Sequence, residues 1–210
     1  MANMWSNEEI KKKFDEYLPA LGKVAHNWNH LQENLGKLFA SVVSKTRAQA
    51  DTMSRARLGG VLLAVWYSEP SDRAQRRMLR AAINADALKK NDRAPPHAVE
   101  DISWLLDEAD KLGQRRDEAL HAPFGMGFGP TGISVVAAYA QGNPLAKRLL
   151  GKDILDELSL SAWRAAELSR YAAQIDLALK EKGPAWPDKR PSLSRETRRQ
   201  RSESHRQQSQ

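Results

Sequence analysis

Hydrophobic residues recur at helical spacing through most of this chain. The most regular set is spaced in steps of three and four, and consists of Leu21, Val24, Trp28, Leu31, Leu35, Leu38 and Val42. This spacing places all seven side chains on one stripe of a long helix that packs on other helices. A shorter helix is predicted over residues 1–18, because Ser6 and Glu9 fit a capping box and Pro19 marks the end of the pattern.

Later segments add further helices. Ser71 is a predicted N-cap for a helix through about Lys90. Its predicted buried stripe is Ala74, Met78, Ala81, Ala85 and Leu88, with Leu79 and Ile83 beside it. A long helix is predicted from about Ala98 to about Leu120, and the last one from Asp153 to about Lys182. The nearly all-apolar segment from Leu58 to Tyr67 is predicted to be buried, whether helical or not.

Four substantial helices with short connections predict an all-α fold, with an antiparallel four-helix-type bundle over residues 19–182. The sequence FGMGFGPTG followed by ISVVAAYA predicts a short glycine-rich, hairpin-like insert before the last helix. These glycines are interpreted as turn residues, because a dinucleotide-binding loop must follow a strand and open a helix.

The net charge of +7 is unevenly distributed. From Gly183 onward there are seven basic and three acidic residues, so more than half of the excess lies in the last 28 residues. Leu193 is the only large aliphatic side chain there, and we predict a basic, disordered tail over residues 183–210. The tail is either a phosphate-binding arm or a solubilising extension. Candidate RNA contacts are Arg190, Arg198 and Arg199 of the tail, together with Arg115 of the body.

The absence of cysteine excludes a disulfide scaffold, a cysteine zinc finger and a thiol enzyme. No apolar run is long enough to cross a bilayer, and the N-terminus lacks the apolar stretch of a secretory signal. We therefore expect a cytoplasmic protein without a membrane partner.

The sequence RRDEALHAPF carries the candidate chemistry. Arg116 lies on the apolar stripe of its helix, which is unusual for a charged residue, and His121 follows it in an RxxxxH spacing. Cleavage of RNA by its own 2′-hydroxyl needs a base for that proton and a cation for the charge on the phosphorane. Histidine suits the first task and arginine the second, without a metal.

In this context the motif resembles that of the HEPN family, the higher eukaryote and prokaryote nucleotide-binding domains. The resemblance implies a helical bundle that forms a homodimer and acts as a metal-independent endoribonuclease on single-stranded RNA, with no cofactor. It implies that Arg116 and His121 are catalytic and approach their counterparts across the dimer interface, with Asp117 orienting the pair. It also implies a role in toxicity or defence, with a possible protein antitoxin. Some family toxins carry a tyrosine two residues after the histidine, where this chain has Pro123.

Other interpretations remain open at this point. Residues five apart on an ideal helix lie about 140° apart around its axis, and Pro123 is expected to resolve this conflict by breaking the helix just beyond His121. Arg116 and His121 also fit a structural ion pair and a helix cap, in an inactive relative or a non-enzymatic nucleic-acid-binding or assembly protein. His26, His30 and Glu33 have a spacing that a metal site allows, but HNWNH lacks the glutamate of HExxH.

Overall fold

The computed structural model describes residues 7–44, 52–89, 91–121, 124–129, 132–137, 147–180, 182–198 and 200. This part of the chain is mostly helical, as the sequence predicts. Its elements are α1 (Asn7–Ser44), α2 (Thr52–Ser68), α3 (Asp72–Asn84), α4 (Ala98–His121), β1 (Phe124–Gly129), β2 (Gly132–Ala137), a 3₁₀ turn (Lys147–Leu149) and α5 (Ile154–Ala178).

Two compact units account for these residues. Unit 1 takes its described residues from Met1–Trp28, Lys111–Ala165 and Ser194–Gln210. Unit 2 takes its described residues from Asn29–Asp110 and Ala166–Leu193. None of the helices that the structure describes is long and apolar enough to cross a membrane.

Helix α1 does not end near Pro19, so the prediction of a separate short N-terminal helix is wrong. Pro19 lies inside α1, which continues to Ser44. A proline within a helix removes one backbone hydrogen bond and typically costs about 3 kcal/mol. Here Tyr17 and Val24, on either side of it, belong to the same buried cluster. Packing on both sides of the proline therefore holds the helix together.

The predicted stripe on α1 is confirmed. Six of its seven residues, from Val24 to Val42, are buried, and Leu21 packs against the core of unit 1. In unit 2 this face of α1 meets α5, where Asn34 donates to the Ser169 carbonyl and hydroxyl at 3.2 and 2.9 Å. Ser41 donates to Asp176 at 2.5 Å.

These two contacts show that α1 and α5 run parallel in unit 2. Moving seven residues along α1, from Asn34 to Ser41, also moves seven residues forward along α5, from Ser169 to Asp176. By contrast, α3 and α4 run antiparallel, because Arg76 pairs with Asp110 and Arg80 with Asp107. The α1 and α5 pair departs from the predicted antiparallel order. Residues 52–68 form an additional helix, and in an alternating series of five helices the first and last run the same way.

The apolar segment from Leu58 to Tyr67 is helical, but the prediction that it is buried is wrong. Trp66 is fully buried against α1, where its ring lies 5.4 Å from that of Phe39. Val61, Val65 and Tyr67 are instead 59%, 47% and 58% exposed. One large side chain therefore anchors α2, while Leu58, Leu62 and Leu63 are half-buried and much of the remaining apolar surface faces outward.

Helix α3 confirms the predicted cap and corrects the predicted stripe. The Ser71 hydroxyl accepts from the Ala74 amide, as an N-cap does. The helix ends at Asn84 rather than near Lys90, and Asp86 has a left-handed backbone with φ of 62°. Leu79 and Ile83 are its buried apolar residues, whereas Ala81 and Ala85 are exposed.

In unit 1, β1 and β2 pair antiparallel, with Phe124 opposite Ala137 and Gly129 opposite Gly132. The Phe124 ring lies 5.0 Å from that of Tyr17 on α1. Val135 of β2 joins the buried cluster of this unit. Its other buried members are Tyr17, Val24, Leu149, Ile154, Leu158 and Ala162.

The prediction of disorder over residues 183–210 is wrong for the described part of that segment. In unit 2, Trp186 and Arg190 both donate to the Asp101 carboxylate. In unit 1, Arg195 and Arg198 pair with Asp156. Glu157 also pairs with Arg195. Composition shows that this segment has few apolar residues, but not that three carboxylates elsewhere in the chain bind it. Residues 199 and 201–210 lie outside the described residues.

Candidate functional site

Arg116 lies in the last two turns of α4, in unit 1, and is held against an aromatic ring. Its guanidinium carbon is 4.6 Å from the centroid of the Trp28 ring on α1, within the range of a cation–π contact. Trp28 is only 3% exposed, whereas the Arg116 side chain is 24% exposed. A buried ring therefore supports a guanidinium that solvent still reaches.

Asp117 fixes the edge of the same guanidinium. Its Oδ1 accepts from Arg116 Nε at 3.0 Å and from Nη2 at 2.7 Å. The sequence predicts that Asp117 orients the catalytic pair, and the structure places it directly on the arginine. The oxygens of a phosphate use the same kind of edge, so a phosphate bound there would have to compete with the Asp117 carboxylate.

His121 is the last residue of α4 and is exposed. The helix continues without a break from Arg116 to His121, so the two residues lie about 140° apart around its axis. The helix ends at His121, in agreement with the predicted break just beyond this residue, but a break at that point does not relieve the separation. Pro123, which carried that expectation, lies outside the described residues.

Other charged groups near the end of α4 are paired or partly buried. Glu118 accepts from Arg148 of the 3₁₀ turn. Arg115 is half-buried on α4. The positive charge of Arg148 is therefore balanced, and an RNA-binding role for Arg115 stays a prediction.

The arginines predicted to contact RNA from the tail face carboxylates of the chain itself. Arg190 Nε donates to Asp101 Oδ1 at 2.7 Å, and Arg198 Nη1 donates to Asp156 Oδ1 at 2.9 Å. Arg199 lies outside the described residues. Any RNA bound by Arg190 or Arg198 would have to compete with these carboxylates, and their RNA-binding role stays a prediction.

The alternative metal site on α1 is a chain of surface contacts. His30 Nδ1 is 4.0 Å from Glu33 Oε2, and Lys37 Nζ is 2.7 Å from Glu33 Oε1. The hydrogen bond from Lys37 lowers the pKa of Glu33, and the charge of Lys37 adds to the effect. Within the described residues, no group of three histidine or acidic side chains is placed to hold a metal ion.

Two groups were missed by sequence reasoning. Trp28 was assigned to the core, and its spacing gives no sign that it also supports an arginine. Asp101 was not singled out, although it lies one turn into α4 with a buried side chain. A carboxylate on the apolar side of a helix is the signal that would have indicated a partner.

Asp156, at the start of α5, gives unit 1 a pH-dependent contact. Burial raises the pKa of Asp156, but hydrogen bonds and charge from Arg198 and Arg195 outweigh burial and hold that pKa below its ordinary value. The stability from this contact is thus present above the unfolded-state pKa of about 3.9 and is lost as the pH falls through the lower folded-state value. We expect Asp156→Asn to lower the melting temperature at pH 7, and the difference from wild type to disappear well below pH 4. Asp188→Asn, at an exposed position, is the control; a gap that persisted in acid would contradict the prediction.

Comparison of the chain with protein-family models, curated proteins and solved structures finds no match.

Proposed function

We propose that this protein is a metal-independent endoribonuclease of HEPN type that cleaves single-stranded RNA. One observation carries the proposal. Arg116 presents a guanidinium that is stacked on buried Trp28, held at its edge by Asp117 and still 24% exposed, five residues before exposed His121. A positioned cation and a histidine are the groups that cleavage through the 2′-hydroxyl needs.

The reaction follows from these groups. His121 removes the proton from a ribose 2′-hydroxyl, and the 2′-oxygen forms a bond to the neighbouring phosphorus. The bond from phosphorus to the 5′-oxygen breaks, and that oxygen takes a proton from solvent. Arg116 stabilises the added negative charge on the phosphorane, so the products carry a 2′,3′-cyclic phosphate and a free 5′-hydroxyl.

The proposal includes a homodimer. Because Arg116 and His121 lie about 140° apart on one helix, a single copy does not direct both at one phosphate along a shared face. Two copies meeting at the ends of α4 would combine Arg116 of one with His121 of the other. The proposed domain covers residues 19–182, as a four-helix-type bundle with a glycine-rich, hairpin-like insert. A cytoplasmic toxin or defence role, with a protein antitoxin as partner, belongs to the same proposal.

The test is RNA cleavage by the full chain in the presence of a chelator. We expect Arg116→Ala and His121→Ala each to lower the rate by about 100-fold or more, whereas His26→Ala and Arg57→Ala, at exposed positions, leave it unchanged. Equal cleavage by all variants would overturn the site assignment. No cleavage by the wild-type protein would overturn the enzymatic proposal.

Mixing the two inactive variants tests the shared site. If each site combines Arg116 of one copy with His121 of the other, a mixed dimer contains one intact pair, and mixing restores part of the activity. Activity that stays at the level of the single variants after subunit exchange would show that both residues act within one copy.

One observation favours a second candidate, a non-enzymatic assembly protein. Val61, Val65 and Tyr67 expose apolar surface on α2, and surface of this kind often binds another protein. Concentration-dependent association without RNA turnover would favour this candidate.

A further inference from the structure

Asp101 of unit 2 is a buried carboxylate that the ribonuclease proposal does not use. Its side chain is 8% exposed. Trp186 Nε1 donates to Oδ2 at 2.8 Å, and Arg190 Nε donates to Oδ1 at 2.7 Å. Both donors belong to residues 183–193, which we call the latch.

An aromatic ring lies beside the arginine of the latch. The Arg190 guanidinium carbon lies 5.7 Å from the centroid of the Trp104 ring, within cation–π range. Trp104 in turn meets buried Tyr171 edge to face at 5.7 Å. Burial, and after it the nearby Asp101 carboxylate, raise the pKa of Tyr171 to about 12. A carboxylate beside an indole face is the chemistry that recognises a guanidinium.

The start of the latch is held in place by Arg93. Arg93 donates to the carbonyl of Ala178 at 2.9 Å, and to those of Gly183 and Pro184 at 2.7 and 3.0 Å. A Cβ at Gly183 would lie 1.8 Å from the Leu177 carbonyl oxygen, so only glycine fits this close approach. The latch therefore leaves the end of α5 in one direction, which lowers the entropy cost of docking Trp186 and Arg190.

We propose that Asp101, Trp104 and Tyr171 form an arginine-binding site whose resident ligand is Arg190, and that the latch stays closed only while the Asp101 carboxylate is charged. An ionised carboxylate that is buried without a partner is strongly unfavourable, so the charge and the closed latch depend on each other. This inference goes beyond the ribonuclease proposal and does not depend on it.

The other titratable groups around Asp101 are consistent with this site. His97 Nε2, from the residues before α4, is 3.7 Å from Oδ2, and its ring meets Trp186 edge to face. The charge of Glu100, the residue before Asp101 on α4, contributes to raising the pKa of Arg190. Burial raises the pKa of Asp101, but the hydrogen bonds from Trp186 and Arg190, together with the charges of Arg190 and His97, hold that pKa below its ordinary value.

The experiment is fluorine NMR of the full chain labelled with 5-fluorotryptophan. The Trp186 signal is assigned by its absence from Trp186→Phe. We expect Asp101→Asn to move this signal to the position that it has in the unfolded chain. The Trp104 signal is also expected to shift, because that ring loses the Arg190 guanidinium, while the remaining tryptophan signals stay in place. Asp107→Asn, on the same helix and paired with Arg80, is the matched control and leaves the signal unchanged. A Trp186 signal that stays at its wild-type position in folded Asp101→Asn would overturn the latch. If all tryptophan signals of Asp101→Asn move together, the measurement is repeated on Arg190→Ala. A Trp186 signal at its unfolded position is again expected, and one at its wild-type position would again overturn the latch.

The arginine site has its own test. In Arg190→Ala, millimolar ethylguanidinium is expected to return the Trp186 signal toward its wild-type position, whereas ethylammonium at the same concentration is not. Addition of Asp101→Asn to Arg190→Ala is expected to abolish the response. No response to ethylguanidinium, or an equal response to ethylammonium, would overturn the assignment of a guanidinium site.

Discussion

Trp28→Ala is expected to lower the free energy of unfolding by about 3–5 kcal/mol, the range for truncating a buried aromatic side chain. Trp28 lies on the buried stripe of α1 and is only 3% exposed, so the substitution leaves a cavity in unit 1. It also removes the ring beneath the Arg116 guanidinium. Urea or guanidinium chloride denaturation followed by circular dichroism measures the loss.

The contribution of the ring to Arg116 is separated by comparing two milder variants. Trp28→Phe keeps an aromatic face, whereas Trp28→Leu keeps hydrophobic volume without one. We expect the free energy of unfolding of Trp28→Phe to exceed that of Trp28→Leu by about 0.5–1 kcal/mol, the size of a cation–π contact at a partly exposed site. In the Arg116→Met background this difference disappears.

A Trp28→Ala loss below about 1 kcal/mol, the typical effect of an ordinary substitution, would contradict the packing described for this residue.

Gly36→Ala is expected to lower the free energy of unfolding by about 1–3 kcal/mol, the usual cost of adding atoms to a packed core. A Cβ at Gly36 would lie 2.9 Å from Nε1 and 3.0 Å from Cδ1 of Trp66. Trp66 is fully buried and packs on Phe39, so its ring has little room to move. Because Trp66 is the buried anchor of α2, the substitution also weakens the contact between α2 and α1.

Gly22→Ala is the matched control on the same helix. A Cβ there would meet nothing within 4 Å, and alanine is favoured over glycine in a helix by roughly 0.5–1 kcal/mol. The two substitutions are therefore expected to change stability in opposite directions, which thermal and chemical denaturation both detect. A stabilising Gly36→Ala would show that α1 and α2 are farther apart than the structure places them.

Elements with a strong periodic pattern or a distinct boundary were predictable from the sequence. The stripe of α1, the N-cap at Ser71 and the helix from Ala98 each depend on residues close together in the chain. The continuation of α1 through Pro19 was not predictable, because the local cost of the proline is outweighed by burial of Tyr17 and Val24, which meet residues far away in sequence. The exposure of the segment from Leu58 to Tyr67 was not predictable either, because hydrophobicity alone does not show which side chains have a partner surface.

The candidate site was predictable to a similar extent. Arg116, Asp117 and His121 were identified by residue type and spacing, and the structure places Asp117 on the Arg116 guanidinium. The support from Trp28 was not predictable, because it joins α1 to α4 across many intervening residues. The contacts of Arg190 and Arg198 were missed for the same reason, since a basic segment resembles a disordered tail until its carboxylate partners are known.

The sequence by itself determined the helical class of the protein, its most regular buried stripe and the motif at the end of α4, because period, capping and residue chemistry are local properties. The tertiary structure decided that α1 continues through Pro19, that α2 exposes much of its apolar surface, and that α1 and α5 run parallel in unit 2. It also decided that the residues after Gly183 dock through Trp186 and Arg190. Each of these outcomes depends on the energy of contacts between residues distant in the chain, and local patterns do not contain that energy.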